Sequence, residues 1–362
     1  MEKRVALIGN NSSGLYDFRH ELIVELVKRN CVVTALTPFD MKVSDLMALG
    51  IHVVETPMNR RGIDPAEDLK LLHLYRRLLG TLRPDLAIGY TIKPNIYAAF
   101  VCRLLKIPYA ANVTGLGSAF QNEGLLKKLV TAMYKVSLKK AKVVFFENCE
   151  DMQVFINSRI VKAGKACVLN GAGVDLEHFH PEDYPAGEKT RFLFIGRIMK
   201  EKGVDELFDA MKRLTVEGVD CSLDILGGFD EDYSGKIREY ECEGWLKYWG
   251  YQEDVRPFIA ASHCFVLPSW HEGMANTNLE CAASGRPVIT SRIHGCMEAV
   301  EDGVTGFLCE RKDSGSLYAA MKRFCALSME ERRAMGLAGR KRMEAVFDKK
   351  QVVNETIARL ME

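Results

Sequence analysis

Two glutamates, Glu272 and Glu280, stand in the segment PSWHEGMANTNLECAASGRPVI, where a turn follows the first and a predicted helix carries the second. A carboxylate beside a turn with free backbone N–H groups can bind sugar hydroxyls and phosphate oxygens together. We therefore predict that the turn offers its N–H groups to a phosphate or a hexose at the start of the helix. The turn consists of Gly273, Met274, Ala275 and Asn276.

A cluster of cations lies earlier in the chain, in RFLFIGRIMKEKGVDELFDAM. The apolar run 192–195 predicts a buried strand, and residues 203–211 have the pattern of a helix. Arg197, Lys200 and Lys202 lie between them, and cations beside a helix N-terminus favour a bound anion. Phosphate is the expected ligand. Lys200 is expected to be a solvated neighbour, because exposed lysines are the rule.

These loops must be positioned by a repeating scaffold. The first half of the chain alternates strands and helices, beginning with strand 5–8, a polar loop 9–14 and helix 17–29. The alternation pauses at 176–185, which we predict to be the interdomain connection, and then restarts at strand 192–195. Alternating strands and helices predict parallel sheets that are covered on both faces.

The predicted architecture is α/β, with two Rossmann-like, doubly wound parallel-sheet domains that face a central cleft. We assign residues 1–175 to an N-terminal domain and residues 186–345 to a C-terminal domain. Residues 346–362 form a C-terminal helix. Ligands of such sheets lie outside the carboxyl ends of the strands, where the polar loops described above are found.

Composition narrows the function classes. The 362 residues suffice for two domains, and a formal net charge of +1 gives no field that would attract nucleic acid. The 11 cysteines are scattered without a C-x-x-C pair, as expected for reduced thiols in the cytoplasm. Residues 230–232, Asp-Glu-Asp, are expected to be solvated, so no metal site is predicted. No signal peptide or apolar run of about 20 residues is found, so we expect a soluble or peripheral protein.

Three motifs together resemble those of a known family. They are GAGVD at 171–175, GRIMKEKG at 196–203, and the two glutamates with seven residues between them. In order and interval they are similar to the motifs of the retaining nucleotide-sugar glycosyltransferases of family 4, which have the GT-B fold. TIKPN at 91–95 and NVTGLGSAF at 112–120 resemble motifs of the bacterial surface-polysaccharide branch, which makes capsule, O-antigen and lipid-linked oligosaccharides.

The resemblance implies a hexose or N-acetylhexosamine transfer from a nucleotide sugar, expected to be UDP-linked, to a polyprenyl-diphosphate-linked saccharide. Arg197 and Lys202 would stabilise the leaving diphosphate, beside Gly196. Glu272 would hold hydroxyls of the transferred sugar, and Glu280 would hold the ribose. Retention by front-face attack needs no protein nucleophile, no cofactor and no metal. The resemblance also implies that the domain of residues 1–175 binds the acceptor, that the domain of residues 186–345 binds the nucleotide-sugar donor, and that the last helix returns to the first domain.

Further ligand contacts are expected from loops after other strands. Tyr251 is predicted to contact the nucleobase, and Gly14 permits a close approach of the backbone to phosphate. Arg19 is predicted to bind a second phosphate, such as one on the acceptor, although a surface charge is the alternative. The acceptor contacts that we predict are Lys93, Asn112 and Thr114. The alternative for Glu280 is that its carboxylate stabilises the helix dipole and binds no ligand.

One segment indicates where in the cell the protein is located. Residues 124–142 contain six lysines and no acidic residue, and Leu125, Leu129, Met133 and Val136 recur at helical spacing. A basic amphipathic helix can rest on an anionic bilayer, so we expect a cytoplasmic protein that is peripheral at the inner face of the plasma membrane. The alternative is a helix whose apolar stripe faces the core.

Three other functions compete with the transferase. A non-hydrolysing UDP-sugar epimerase also uses two such domains, but it would need in-cleft acid/base carboxylates and histidines in a different layout, and it lacks the glutamate pair. A non-catalytic sugar-nucleotide binding scaffold would be expected to lack one of the four charged residues, Arg197, Lys202, Glu272 and Glu280, and all four are present. A dinucleotide dehydrogenase is disfavoured because residues 9–14 are not G-x-G-x-x-G.

Overall fold

The computed structural model describes residues 2–59, 64–117, 120 and 124–361. The chain divides into two compact units. The first comprises Met1–Ala172 together with Lys350–Glu362, and the second comprises Gly173–Lys349.

The first unit is built on a parallel sheet with the strand order β3-β2-β1-β4-β5-β6-β7. Its strands are β1 (Lys3–Ile8), β2 (Cys31–Thr37), β3 (His52–Glu55), β4 (Leu86–Tyr90), β5 (Tyr109–Val113), β6 (Val144–Phe146) and β7 (Ala166–Val168). Its helices are α1 (Ser12–Lys28), α2 (Val43–Ala48), α3 (Pro65–Leu82), α4 (Ala99–Leu105), α5 (Leu125–Ser137) and α6 (Cys149–Asn157). The last helix of the chain, α13 (Lys349–Met361), packs into this unit through Val352, Ile357 and Leu360.

Both faces of this sheet are buried. Along β1, Val5 and Leu7 belong to one apolar core, whereas Ala6 and Ile8 belong to the core on the opposite face. Because side chains of a strand alternate between the two faces, a strand that is apolar at every position requires cover on both sides. Burial on both faces therefore explains the continuous apolar run at residues 5–8.

The second unit contains a parallel sheet with the order β10-β9-β8-β11-β12-β13. The strands are β8 (Thr190–Ile195), β9 (Cys221–Leu226), β10 (Leu246–Tyr248), β11 (Cys264–Leu267), β12 (Val288–Ser291) and β13 (Gly306–Cys309). The helices are α7 (Val204–Val216), α8 (Ser234–Cys242), α9 (Arg256–Ala261), α10 (Asn276–Ala283), α11 (Ser314–Cys325) and α12 (Met329–Val346). The prediction of two doubly wound parallel sheets is confirmed.

The segment 176–185 differs from its prediction as an interdomain connection, because it is part of the second unit. Arg340 of α12 donates hydrogen bonds to the carbonyl oxygens of Leu176 and Phe179. The buried Arg286 donates to the carbonyl oxygens of residues 182 and 183. These guanidinium groups satisfy backbone oxygens that regular structure leaves unpaired, which holds an aperiodic segment against the domain.

Candidate functional site

The loops after β8 and β11 lie side by side at the carboxyl edge of the second sheet. β9 pairs with one side of β8 and β11 pairs with the other, so the winding direction reverses between β8 and β11. Ligands of open parallel sheets bind outside the carboxyl ends of the strands at such a switch point. The predicted cations follow β8 and the predicted acids follow β11, which brings both groups to this point.

Lys202 and Glu272 are in direct contact. Nζ of Lys202 lies 2.5 Å from Oε1 of Glu272, and the same oxygen accepts a hydrogen bond of 2.7 Å from Oγ of Ser269. The Lys202 and Glu272 side chains are 21% and 13% exposed, and Ser269 is fully buried. A charged hydrogen bond that is partly shielded from water is stronger than one at the surface. The site thus holds a cation and a carboxylate together.

Backbone contacts fix the two loops that carry this pair. Gly203 has a φ of 74°, and a Cβ atom there would lie 2.1 Å from the carbonyl oxygen of Pro268. Only glycine combines this φ with so close an approach. The N–H of Trp270 also donates to the carbonyl oxygen of Glu201 at 2.9 Å. The loops after β8 and β11 are therefore joined on both sides of Lys202.

Arg197 lies at the same edge but contacts a third loop. Its Nη1 donates to Oδ2 of Asp230 at 2.8 Å, and its side chain is 57% exposed. The prediction that residue 230 is solvated is wrong, since the Asp230 side chain is only 17% exposed. A backbone bridge between Ile198 and Phe229 draws the loop after β9 towards the loop after β8, and the local sequence does not show this contact. Gly196 joins the same loops, because its N–H donates to the Leu226 carbonyl oxygen.

The variant Asp230→Asn tests whether Arg197 is structural. More than half of the Arg197 side chain is exposed, so water screens its pair with Asp230, and we expect the free energy of unfolding to fall by less than about 1 kcal/mol. Chemical denaturation of the variant and the parent protein measures this difference. A loss of about 3 kcal/mol, typical of a buried pair, would instead make Arg197 a structural residue that is committed to Asp230.

The turn after Glu272 is less open than predicted. The N–H of Ala275 donates to the Gly295 carbonyl oxygen at 2.7 Å, and the N–H of Asn276 donates to the Met274 carbonyl oxygen at 3.1 Å. The side chains of Met274 and Ala275 are buried. The prediction that the turn offers these N–H groups to a ligand is therefore wrong for Ala275 and Asn276. For Ala275 the cause is the loop after β12, which packs against the turn from a distant part of the sequence, whereas the partner of Asn276 lies within the turn itself.

Glu280 lies in the second turn of α10, because the helix begins at Asn276. The first turn of α10 contains no acidic residue, so the alternative of a carboxylate that serves the helix dipole has no support. Glu280 is half-buried. Its binding of ribose stays a prediction, as does sugar binding by Gly273 and Glu272.

Tyr251 is exposed, with 66% of its surface accessible. It follows β10, the edge strand of the sheet, and the preceding Gly250 accepts a hydrogen bond of 2.8 Å from the Gly227 N–H. This bond joins the loops after β9 and β10 at the carboxyl edge. An exposed aromatic ring at this edge has the surface needed for stacking with a base. The nucleobase contact stays a prediction.

In the first unit, the helix that contains Gly14 begins earlier than predicted. α1 starts at Ser12, so residues 12–14 form its first turn rather than a loop. The Asp40 carboxylate, from the loop after β2, accepts the N–H groups and the hydroxyls of Ser12 and Ser13. Burial raises the pKa of Asp40, but these hydrogen bonds outweigh it and hold the pKa below its ordinary value. The chain therefore supplies its own anion where we predicted close approach of a phosphate.

Arg19 is buried, so the alternative of a surface charge is wrong. Its Nη2 lies 3.0 Å from Oε1 of Glu147, and its guanidinium lies 4.8 Å from the centre of the Tyr90 ring. Burial raises the pKa of Glu147 above its ordinary value although Arg19 lowers it. Arg19 is committed to a buried pair, which limits its predicted role as a phosphate ligand.

The three predicted acceptor contacts have different surroundings. Lys93 pairs with Asp68 of α3, with Nζ 2.8 Å from Oδ1, so this cation already has a carboxylate partner. Asn112 is 3% exposed, and its side-chain oxygen has no hydrogen-bond partner among the described residues. Thr114 is half-buried and follows β5. Thr91, which we did not predict, has a φ of 69°, a strained conformation for a β-branched residue that is often found at functional sites.

The predicted amphipathic helix exposes three of the four side chains of its apolar stripe, and the fourth, Met133, packs against the core. Leu125 is 88% exposed, Leu129 is 54% and Val136 is 46%, whereas Val130 and Tyr134 face the core. The alternative that the predicted stripe faces the core is therefore wrong for these three residues. The helix instead uses the adjacent face, because the large Tyr134 ring packs against aromatic side chains inside the unit.

Two features are absent from the described part of the chain. It contains no group of three His, Cys, Asp or Glu side chains that is arranged to hold a metal ion. None of its helices combines the length and apolarity that a bilayer crossing requires.

The comparisons with known proteins follow the division of the chain. The family model of the glycosyl transferase 4-like proteins matches residues 4–148, and that of the group 1 glycosyl transferases matches residues 189–326. Among solved structures, Anabaena HepE in complex with UDP and glucose superposes over 100% of both chains, with a TM-score of 0.82 and 16% identity. Sucrose-phosphate synthase from Thermosynechococcus elongatus covers 99% of both chains, with a TM-score of 0.81 and 19% identity.

Two curated relatives are similar along most of their length. One is the N,N'-diacetylbacillosaminyl-diphospho-undecaprenol alpha-1,3-N-acetylgalactosaminyltransferase of Campylobacter jejuni, 28% identical over 87% of each chain. The other is the UDP-Gal:alpha-D-GlcNAc-diphosphoundecaprenol alpha-1,3-galactosyltransferase of Escherichia coli, 28% identical over 77% of this chain and 76% of the relative. These comparisons favour the transferase over the epimerase. The chain belongs to the family 4 glycosyltransferases, which have the GT-B fold.

Proposed function

We propose that this glycosyltransferase moves a hexose or N-acetylhexosamine from a UDP-sugar to a polyprenyl-diphosphate-linked saccharide, with retention of configuration. The contact between Lys202 and Glu272 at the switch point of the second sheet carries the proposal. Lys202 binds and stabilises the diphosphate, and Glu272 holds hydroxyls of the sugar. The diphosphate and the sugar of a nucleotide sugar thereby both have partners in the two joined loops after β8 and β11.

The transfer proceeds on one face of the sugar. The bond between the anomeric carbon and the phosphate oxygen breaks, and its electron pair stays on the departing nucleoside diphosphate. The acceptor hydroxyl oxygen bonds to the anomeric carbon from the same face, and its proton passes to the departing phosphate oxygen. Charge grows on the diphosphate as the bond breaks, so Lys202 and Arg197 stabilise the transition state more than the ground state. These two cations supply the neutralisation, so we propose that the reaction needs no metal and no cofactor.

The names of the relatives support the substrate class. The Campylobacter and Escherichia relatives are both named for acceptors linked to undecaprenyl diphosphate, and the second is named for UDP-galactose as its donor. HepE was solved with UDP and with UDP-glucose. The acceptor contacts that we propose in the first unit are Lys93, Asn112 and Thr114. Asn112 and Thr114 lie at the carboxyl end of β5, and Lys93 pairs with Asp68 as Lys202 pairs with Glu272.

The decisive experiment incubates the protein with a panel of UDP- and GDP-sugars, with and without a polyprenyl-diphosphate-linked saccharide, and follows nucleotide release. We expect release from a UDP-sugar that rises strongly when the acceptor is present, and we expect EDTA to leave the rate unchanged. Proton NMR of the product should show the anomeric configuration of the donor. Nucleotide release at the same rate with and without the acceptor, or a product with inverted anomeric configuration, would refute the proposed transfer.

α5 is proposed to bind the membrane surface on which such an acceptor resides. Its exposed Leu125 and Leu129 lie among lysines, and residues 124–142 contain no acidic side chain that would repel anionic lipid. Each lysine near an anionic surface contributes about 1 kcal/mol to binding. Lys142 is a weaker candidate for lipid contact, because its Nζ donates to the Leu360 carbonyl oxygen within the unit.

The double variant Leu125→Ser/Leu129→Ser should bind less to vesicles of phosphatidylcholine and phosphatidylglycerol. We expect about a tenfold or greater loss in co-sedimentation, since burying each leucine contributes about 1.5 kcal/mol or more. Val216→Ser is the matched control, because Val216 is 86% exposed on α7 of the other unit. Equal binding by the double variant and the control would contradict the membrane role of α5.

A further inference from the structure

Glu298 is a side chain that neither the sequence motifs nor the proposed chemistry uses. It lies in the short helical turn Met297–Ala299 after β12, and both of its carboxylate oxygens are engaged. Oε2 accepts the N–H of Gly295 at 2.7 Å, and Oε1 lies 2.7 Å from Nδ1 of His294. One carboxylate therefore fixes two successive residues of the loop that follows β12.

That loop is the one that packs against the turn after Glu272. Gly295 has a φ of 87°, and a Cβ atom there would lie 2.5 Å from the Glu272 carbonyl oxygen and 2.8 Å from that of Gly273. The Gly295 carbonyl oxygen in turn accepts the Ala275 N–H at 2.7 Å. The N–H of Gly295 is thus bonded to the Glu298 carboxylate, and the carbonyl oxygen of Gly295 is bonded to the Ala275 N–H.

The loop is also fixed from behind. Arg342 of α12 donates from Nε and Nη2 to the Glu298 carbonyl oxygen, at 3.1 and 2.7 Å. Asn278 of α10, which is fully buried, donates at 3.5 Å to the carbonyl oxygen of Cys296. Glu298 therefore stands between a rigid helix and the turn that carries Glu272.

We propose that Glu298 is a positioning residue, which holds Gly295 against the turn and thereby sets the place of the Glu272 carboxylate for the sugar. This inference rests on the proposed function of Glu272. A side chain that acts only through another residue should lose its effect when that residue has already been disabled. The inference can therefore be separated from a general role in stability.

The test is a double-mutant cycle of Glu298→Met and Glu272→Gln, with kcat/KM for the donor as the readout. Methionine keeps the side-chain length but removes both acceptor oxygens, and we expect about a tenfold loss in the parent background. In the Glu272→Gln background we expect a further loss below about twofold. Glu298→Gln keeps an acceptor for the Gly295 N–H, and it should restore kcat/KM to within about threefold of the parent.

Glu310→Met is the matched control, because Glu310 pairs with Arg292 at the end of β12 and its side chain is 62% exposed. It should leave kcat/KM unchanged, and thermal melting of each variant monitors the fold. Equal losses from Glu298→Met in both backgrounds, or a Gln variant as slow as the Met variant, would overturn the positioning role. A normal rate for Glu272→Gln alone would overturn the proposed function and this inference with it.

Discussion

Replacing Lys202 by alanine is expected to lower kcat by about 10²- to 10³-fold, the usual effect of removing one preorganised group that stabilises transition-state charge. The Lys202 ammonium lies in a partly shielded site, where it interacts with charge more strongly than it would in bulk water. The fold should persist, because Glu272 keeps its hydrogen bond from Ser269. Steady-state kinetics with saturating donor and acceptor measure the loss, and far-UV circular dichroism checks the fold.

Lys200→Ala provides the control for this variant. Lys200 belongs to the same helical turn, Lys200–Lys202, and it is exposed. The two variants remove the same charge at nearly the same place, yet only Lys202 contacts the glutamate. We expect Lys200→Ala to stay within about threefold of the parent rate, as surface substitutions usually do. Similar losses from both variants would mean that general positive charge, and not the Lys202 contact, supports the reaction.

Gly203→Ala is expected to have the second largest effect, although it changes no charged group. The new Cβ atom would lie 2.1 Å from the Pro268 carbonyl oxygen, so the loop after β8 must move away from the loop after β11. Because displacements of about 1 Å can reduce rates a hundredfold, we expect kcat to fall by at least tenfold and the melting temperature to fall as well.

The matched control is Gly218→Ala, at the other end of the same helix α7. Gly218 has the same φ of 74°, but nothing lies within 4 Å of a Cβ atom built there. This variant should lose only the cost of a left-handed conformation, about 1 kcal/mol, and keep its kcat. Comparable activity losses in the two alanine variants would show that φ strain, rather than contact with Pro268, sets the effect.

The strand pattern was readable from the sequence because both faces of the sheets are buried. Apolar runs such as 5–8 and 192–195 leave no alternation, and only a covered parallel sheet uses such runs repeatedly. The contact between Lys202 and Glu272 also results from the parallel sheet. Both lie just after strands, and parallel strands bring their carboxyl ends to one edge.

Three of the errors share one physical cause, which is contact between residues that are far apart in sequence. Asp40 completes the first turn of α1 from 28 residues away, so a segment that looks like a polar loop is helical. The Gly295 carbonyl oxygen accepts a hydrogen bond from the Ala275 N–H. The Glu147 carboxylate binds the guanidinium of Arg19, which lies 128 residues away in the sequence. Local sequence propensity does not indicate such partners, yet each partner determines whether a predicted ligand-binding group is free to bind.

The most direct test of the account is a crystal structure of the protein with a UDP-sugar bound. We expect the diphosphate within hydrogen-bonding distance, about 3 Å, of Lys202 Nζ, and sugar hydroxyls at the same distance from the Glu272 carboxylate. A donor bound with its diphosphate remote from the loops after β8 and β11 would contradict the proposed site.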